Sequence, residues 1–100
     1  MKLSIIIPAY NEEKNILEVL NNVKKVNLGN ITKEIIIVDD FSTDSTRKIL
    51  SKLKDKSTKI FFHQKNQGKG AAIRTGLKHT TGDIITIQDA DLEYNPEEYP

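Results

Sequence analysis

The 100-residue sequence has no cysteine and no tryptophan, and only one methionine. Without thiols there can be no disulfide scaffold, no thiol catalysis and no zinc site built on thiolates. Lys and Arg number 15 against 14 Asp and Glu, so the net charge of +1 leaves no excess for gripping a polyanion by bulk charge. No nucleic-acid partner is expected on that ground. No apolar run approaches the ~20 residues that span a bilayer. The opening "MKLSIIIPAYNEE" lacks both the apolar core and the cleavage site of a secretory signal. These absences predict a soluble domain in a reducing, cytoplasmic setting. At this length it is one domain at most, burying about two-thirds of its unfolded surface.

What is present is unevenly distributed. Residues 47 to 78 hold ten Lys/Arg against one acid, Asp55, whereas residues 83 to 100 hold six acids and no base. The basic stretch reads as solvated helix faces. Apolar residues come in short dense blocks. Leu3–Ile7, ended by Pro8, Glu34–Val38, Lys59–Phe62 and Ile84–Ile87 read as strands. Between them lie amphipathic stretches. Asn11 is placed to cap a first helix that packs through Ile16, Leu17, Leu20 and Val23, with Glu12 and Glu13 in its first turn. Asp44 or Ser42 would cap a second helix, packed through Ile49, Leu50 and Leu53. A third would run from near Gly68 to about His79 on Ala71, Ala72, Ile73 and Leu77, with Gly82 as its stop. "YNPEEYP" reads as a turn opening another helix, and a finished domain seldom stops at Pro100, so the chain reads as the front part of a longer domain.

The order βαβαβαβ predicts an α/β fold: a Rossmann-like, mostly parallel sheet flanked by helices on both faces, its strands covered on both sides. Ligands of such sheets bind beyond the carboxyl ends of the strands. The residues there are Pro8 to Glu12, Asp39-Asp40, Asn66 to Gly70, and Asp89-Ala90-Asp91. Asp89 and Asp91 can converge on one point if Ala90 turns away, and paired oxygen ligands suit Mg²⁺ or Mn²⁺ bridging to phosphates. Alternatively they are loop acids or a helix cap. One acid of Asp39-Asp40 could accept hydrogen bonds from a base or ribose, or Asp40 and Ser42 could simply tie down the turn. Tyr10, Asn11 and Glu12 offer a flat ring for a base and a carboxylate for sugar hydroxyls, or else an ordinary strand-to-helix turn. The glycines around Lys69 open a helix whose amides and ammonium could meet a phosphate. They match neither a Walker loop nor G-x-G-x-x-G. His63 and His79 have no metal-type spacing and read as strand-edge and helix-end residues. Together the strand ends describe a pocket for a nucleoside diphosphate and a divalent metal. A phospho-acceptor signalling domain does not fit, because it needs an acidic pair after the first strand.

Four blocks, "SIIIPAYNEEKNI", "EIIIVDDFSTDST", "NQGKGAAIRTGL" and "TGDIITIQDADLEYNP", resemble in order the family 2 glycosyltransferases of the GT-A fold. The third and fourth look most like the polyprenyl-phosphate sugar transferases of the dolichyl-phosphate mannose synthase type. The resemblance spans nearly the whole chain and implies its nucleotide-sugar-binding part. It implies that Pro8, Tyr10, Asn11 and Glu12 line the nucleoside site, that Val38 and Asp40 contact base and ribose, and that Lys69 lies near the donor. Asp89, Ala90 and Asp91 would form the Asp-x-Asp motif, with Asp91 the better metal ligand. Glu93 stands where some relatives carry a further ligand, often Gln. The implied activity is metal-dependent, inverting transfer of a sugar from a GDP- or UDP-sugar to a polyprenyl phosphate, at the cytoplasmic face of a membrane. The family's usual general base would lie beyond Pro100. The activity is expected of the full-length protein, and these 100 residues alone are expected to be inactive; a saccharide hydroxyl acceptor, or nucleotide binding without catalysis, are the alternatives.

Overall fold

A computed structural model describes residues 1–26, 29–53 and 55–90. Four strands, β1 (Lys2–Ala9), β2 (Thr32–Asp39), β3 (Thr58–Phe62) and β4 (Ile84–Ile87), alternate with helices α1 (Ile16–Lys25), α2 (Thr46–Ser51) and α3 (Lys69–Leu77). All neighbouring strands pair in parallel, in the order β3-β2-β1-β4. The chain builds outward from β1 to β3, then crosses back to place β4 on the other side of β1. That reversal makes the gap between β1 and β4 a topological switch point, where open α/β sheets take their ligands.

The isoleucine runs divide by strand alternation between two apolar layers. Ile5, Ile7, Ile35 and Ile37 face α1 and α2, meeting Ile16, Val19, Leu20 and Leu50. Ile36 and Val38 face the other way, against Ala72 of α3 and Phe61. Helices therefore cover both faces, as the element order predicts. The central strands are buried from Ser4 to Ala9 and from Glu34 to Asp39. The expectation of full cover fails at β4, an edge strand whose Ile84, Ile85 and Ile87 are 47, 43 and 47% exposed.

Four local expectations are corrected. Pro8 does not end β1. It pairs opposite Val38, and β4 pairs only as far as Ile6, so the missing N–H of Pro8 faces the open gap beyond β4. Asn11 does not cap α1. The helix starts at Ile16 with Asn15 before it, and Asn11, at φ 52°, accepts instead from the Thr43 and Asp44 amides. Gly82 does not stop α3, which ends at Leu77. A Cβ on Gly82 would lie 2.5 Å from Ser4 Oγ and 2.8 Å from Ser4 N, so glycine here permits close approach to β1. Leu77 is exposed rather than packed, and Gly76 takes the inner face, where a Cβ would meet Ile6 Cγ2 at 2.6 Å. The expected turn and helix start in "YNPEEYP" lie outside the described residues.

At the amino-terminal edge, opposite the strand ends that matter for ligands, Glu34 ties the sheet together. Its buried carboxylate accepts from Ser4 Oγ (2.7 Å), Lys59 Nζ (2.9 Å) and the Thr81 amide (2.9 Å). Burial opposes ionisation, but these donors prevail and lower its pKa to about 2.

Candidate functional site

The carboxyl ends of the strands surround a cleft of about 530 Å³. Pro8 and Ala9 line it from β1, and Tyr10 and Glu12 from the loop that follows. Asp40 enters after β2, Asn66 and Gly68 from the β3–α3 loop, Lys69 and Ala72 from α3, and Asp89 and Ala90 after β4. The expected residues Pro8, Tyr10, Glu12, Asp40, Lys69, Asp89 and Ala90 thus meet in one place.

Two loops fix the first wall. The Asn11 amide donates to Ser42 Oγ and the Glu12 amide to Thr46 Oγ1, each at 2.9 Å, while the Ser45 amide donates to Glu13. Neither Asp44 nor Ser42 caps α2: Ser45 is the residue before the helix, with no side-chain cap bond, and Asp44, one residue earlier, accepts from the Thr46 amide at 2.9 Å. Burial works against its charge, yet the Thr46 hydroxyl and amide hold its pKa below the usual carboxylate range. Asn11 is therefore a cross-brace between loops and does not line the cleft. Val38 does not reach it either: its side chain is fully buried against Ile36, Ala72 and Phe61.

The adjacent acids after "EIIIV" do different work. Asp39, fully buried, accepts from the Ser42 amide (3.0 Å) and hydroxyl (2.5 Å), and Arg47 Nε lies 3.6 Å away. This is the turn-fixing role expected of Asp40 with Ser42. Asp40 instead reaches across to the next loop. Its Oδ1 accepts from the Gln67 amide and its Oδ2 from the Gly68 amide, both at 2.8 Å, and His63 Nδ1 lies 2.9 Å from Oδ1. Burial raises the Asp40 pKa, but these bonds outweigh it and keep the group ionised below its ordinary range. Residue type alone could not reveal His63 and Thr75 as part of this assembly; it depends on which loops the topology brings together.

Lys69, in the first turn of α3, forms an ion pair with Asp89 just after β4. The cation stands at the helix end where backbone amides are also free to meet an anion. Asp89 offers a hard oxygen donor, 42% exposed and opening into the cleft, which suits a divalent cation in kind. Among the described residues no three His, Cys, Asp or Glu converge on one point. Asp91 and Glu93, the other expected ligands, lie outside the described residues.

The model of the glycosyl transferase family 2 matches residues 4–100. The chain belongs to this family. It is 37% identical over 101 residues to a dolichol-phosphate mannosyltransferase of Pyrococcus furiosus, covering all of this chain and 28% of that protein. It is 35% identical over 104 residues to an undecaprenyl-phosphate 4-deoxy-4-formamido-L-arabinose transferase of Salmonella paratyphi B, covering 99% of this chain and 32% of that one. Among solved structures it resembles S. aureus TarS in complex with UDP-GlcNAc, with a TM-score of 0.81 and 36% identity over 91% of this chain and 27% of that one. It also resembles the mannosyltransferase PcManGT of Pyrobaculum calidifontis in complex with GDP-Man and Mn²⁺, with a TM-score of 0.77 and 33% identity over 89% and 27% of the two chains. The chain therefore spans less than a third of the length of these family 2 relatives. No helix among the described residues is long and apolar enough to cross a membrane.

Proposed function

We propose that this family 2 chain is the donor-binding part of an inverting glycosyltransferase that moves a sugar from a GDP- or UDP-sugar to a polyprenyl phosphate at a membrane surface. The observation that carries the reading is the cleft at the β1–β4 switch point, where Tyr10, Lys69 and Asp89 face one space. The Tyr10 ring, 45% exposed, offers a stacking surface for a base. Glu12 presents its carboxylate to ribose or sugar hydroxyls. Lys69, at the amino end of α3, meets the diphosphate. Asp89, with Asp91 and Glu93, would hold Mg²⁺ or Mn²⁺, which when bound supplies Lewis-acid stabilisation of the departing diphosphate. Lys69 adds positive charge against the same developing charge. A phosphate acceptor is already ionised near neutral pH and needs no strong general base from the protein. The names of both curated relatives, each a transferase for a polyprenyl phosphate, support that acceptor class. The two ligand-bound neighbours support a nucleotide-sugar donor, and one of them a divalent cation.

The test is transfer itself. Incubation of the full-length protein that carries this part with labelled GDP- or UDP-sugars, Mn²⁺ and a polyprenyl phosphate should give a labelled lipid of inverted anomeric configuration. Nucleotide binding without transfer by the full-length protein would leave a non-catalytic nucleotide-binding protein, and transfer to soluble saccharides alone would replace the acceptor. No binding of either nucleotide would overturn the reading.

A further inference from the structure

One buried titratable side chain beside the cleft is unused by this chemistry. His63 follows β3, is 8% exposed, and its amide donates to Asp39 O at 2.8 Å. Its ring lies between Asp40 and α3: Nδ1 is 2.9 Å from Asp40 Oδ1, and Nε2 is 2.8 Å from Thr75 Oγ1. Both Asp40 oxygens already receive backbone amides, from Gln67 and Gly68. A carboxylate that accepts on both oxygens has no proton to give, so Nδ1 must carry the hydrogen that joins ring to acid. In the neutral ring, Nε2 then accepts from the Thr75 hydroxyl.

The segment that this assembly holds is the one that presents Lys69. Gly68 stands at φ 95° as the residue before α3, in a backbone region that side chains rarely adopt, and Lys69 follows it directly. Asn66 Nδ2 adds a bond to Asp40 O at 3.4 Å. Resting on the donor-site reading above, we propose that His63 is a positioning residue: its Nδ1–H fixes the Asp40 carboxylate at the angle that receives the Gln67 and Gly68 amides, and so sets the turn that aims Lys69 at Asp89 and the donor phosphates. Without that donor, Asp40 keeps one amide on each oxygen but loses the side-chain bond that fixes the angle of the carboxylate, which weakens its hold on the turn.

The two amide side chains separate this role from mere packing. Asn at position 63 retains a donor where Nδ1 stands, whereas Gln reaches toward Thr75 and leaves Asp40 without its side-chain partner. We expect His63→Gln to raise hydrogen exchange at the Gln67 and Gly68 amides by about 10-fold and to weaken GDP or UDP binding in Mn²⁺ by a similar factor. His63→Asn should stay within about threefold of wild type in both. Equal behaviour of the two variants, or unchanged exchange at Gln67 and Gly68 in His63→Gln, would overturn the proposal. If wild type binds neither nucleotide, the donor reading fails while the exchange measurement still decides the role of His63. Should His63→Gln not fold, ¹⁵N correlation spectra of the wild-type imidazole decide the same point. A hydrogen on Nδ1 is expected, and the Nε2–H tautomer would refute the assignment.

Discussion

Lys69 and Asp89 form an ion pair beside the β1–β4 switch point, one from the first turn of α3 and the other from just after β4. Their side chains are 59 and 42% exposed. Exposed pairs of this kind contribute only about 0–1 kcal/mol to stability. The pair is thus a poor strut, and it occupies the place where phosphate and metal would compete for it. Lys69→Ala should shift the melting temperature by no more than about 4–8 °C. The same change should weaken nucleoside diphosphate binding by about 10-fold, since a charged donor is lost. Calorimetry beside thermal melts checks both, and a variant that melts early but binds normally would reverse the assignment.

Glu34 predicts an acid limb in the stability profile. Its folded pKa of about 2 lies below the unfolded 4.5. The unfolded chain therefore binds the proton more readily, and the stabilisation is present above pH 4.5 and lost as pH falls from there toward 2. The contribution is roughly 1–3 kcal/mol. Glu34→Gln should flatten this limb in urea titrations at stepped pH. An unchanged slope between pH 5 and 3 would show that Glu34 is not its source.

Phe41 occupies φ 61°, a left-handed conformation that is costly for a side chain of its size. Its ring, 39% exposed, lies 5.5 Å from the Arg47 guanidinium carbon. Phe41→Ala removes the ring and keeps the strain, whereas Phe41→Gly removes both. The glycine variant should be the more stable of the two by about 1 kcal/mol in chemical denaturation. The reverse order would mean that the turn relaxes without glycine.

Gly82→Ala should destabilise by about 1–3 kcal/mol, because the new methyl meets the Ser4 backbone nitrogen, which cannot step aside. Gly29→Ala is the useful contrast: among the described residues nothing beyond its chain neighbours lies within 4 Å of a Cβ there, and its φ of 65° is the source of the expected cost. Denaturation midpoints of the two variants compare a clash with a purely conformational penalty.

The central sheet was legible because β1 and β2 are isoleucine runs with no helical period, and each is followed by polar residues that mark the carboxyl edge. The same composition misled at β4. "IITI" looks as buried as "EIIIV", and only strand order places it at an edge. Asn11 misled for a local reason. An Asn before two glutamates satisfies the capping pattern, but its carbonyl is drawn to two amides of a loop 32 and 33 residues away. Glycines were read by convention as a helix stop at Gly82, while the contacts that require glycine, with Ser4 and Ile6, are tertiary. The family resemblance implies a base contact for Val38, yet strand alternation turns its side chain into the α3 layer. His63 carried no signal at all, since its partners Asp40 and Thr75 are 23 and 12 residues distant.

The most direct test maps where a nucleotide binds. ¹⁵N-labelled protein titrated with GDP or UDP in Mg²⁺ should show its largest amide shifts at Tyr10, Gly68, Lys69 and Asp89, and chelation of the metal should reverse most of them. Shifts confined to the separate groove between α2 and β3, lined by Arg47, Lys48, Ser51 and Phe62, would contradict the account, as would saturating nucleotide that leaves the strand ends unperturbed.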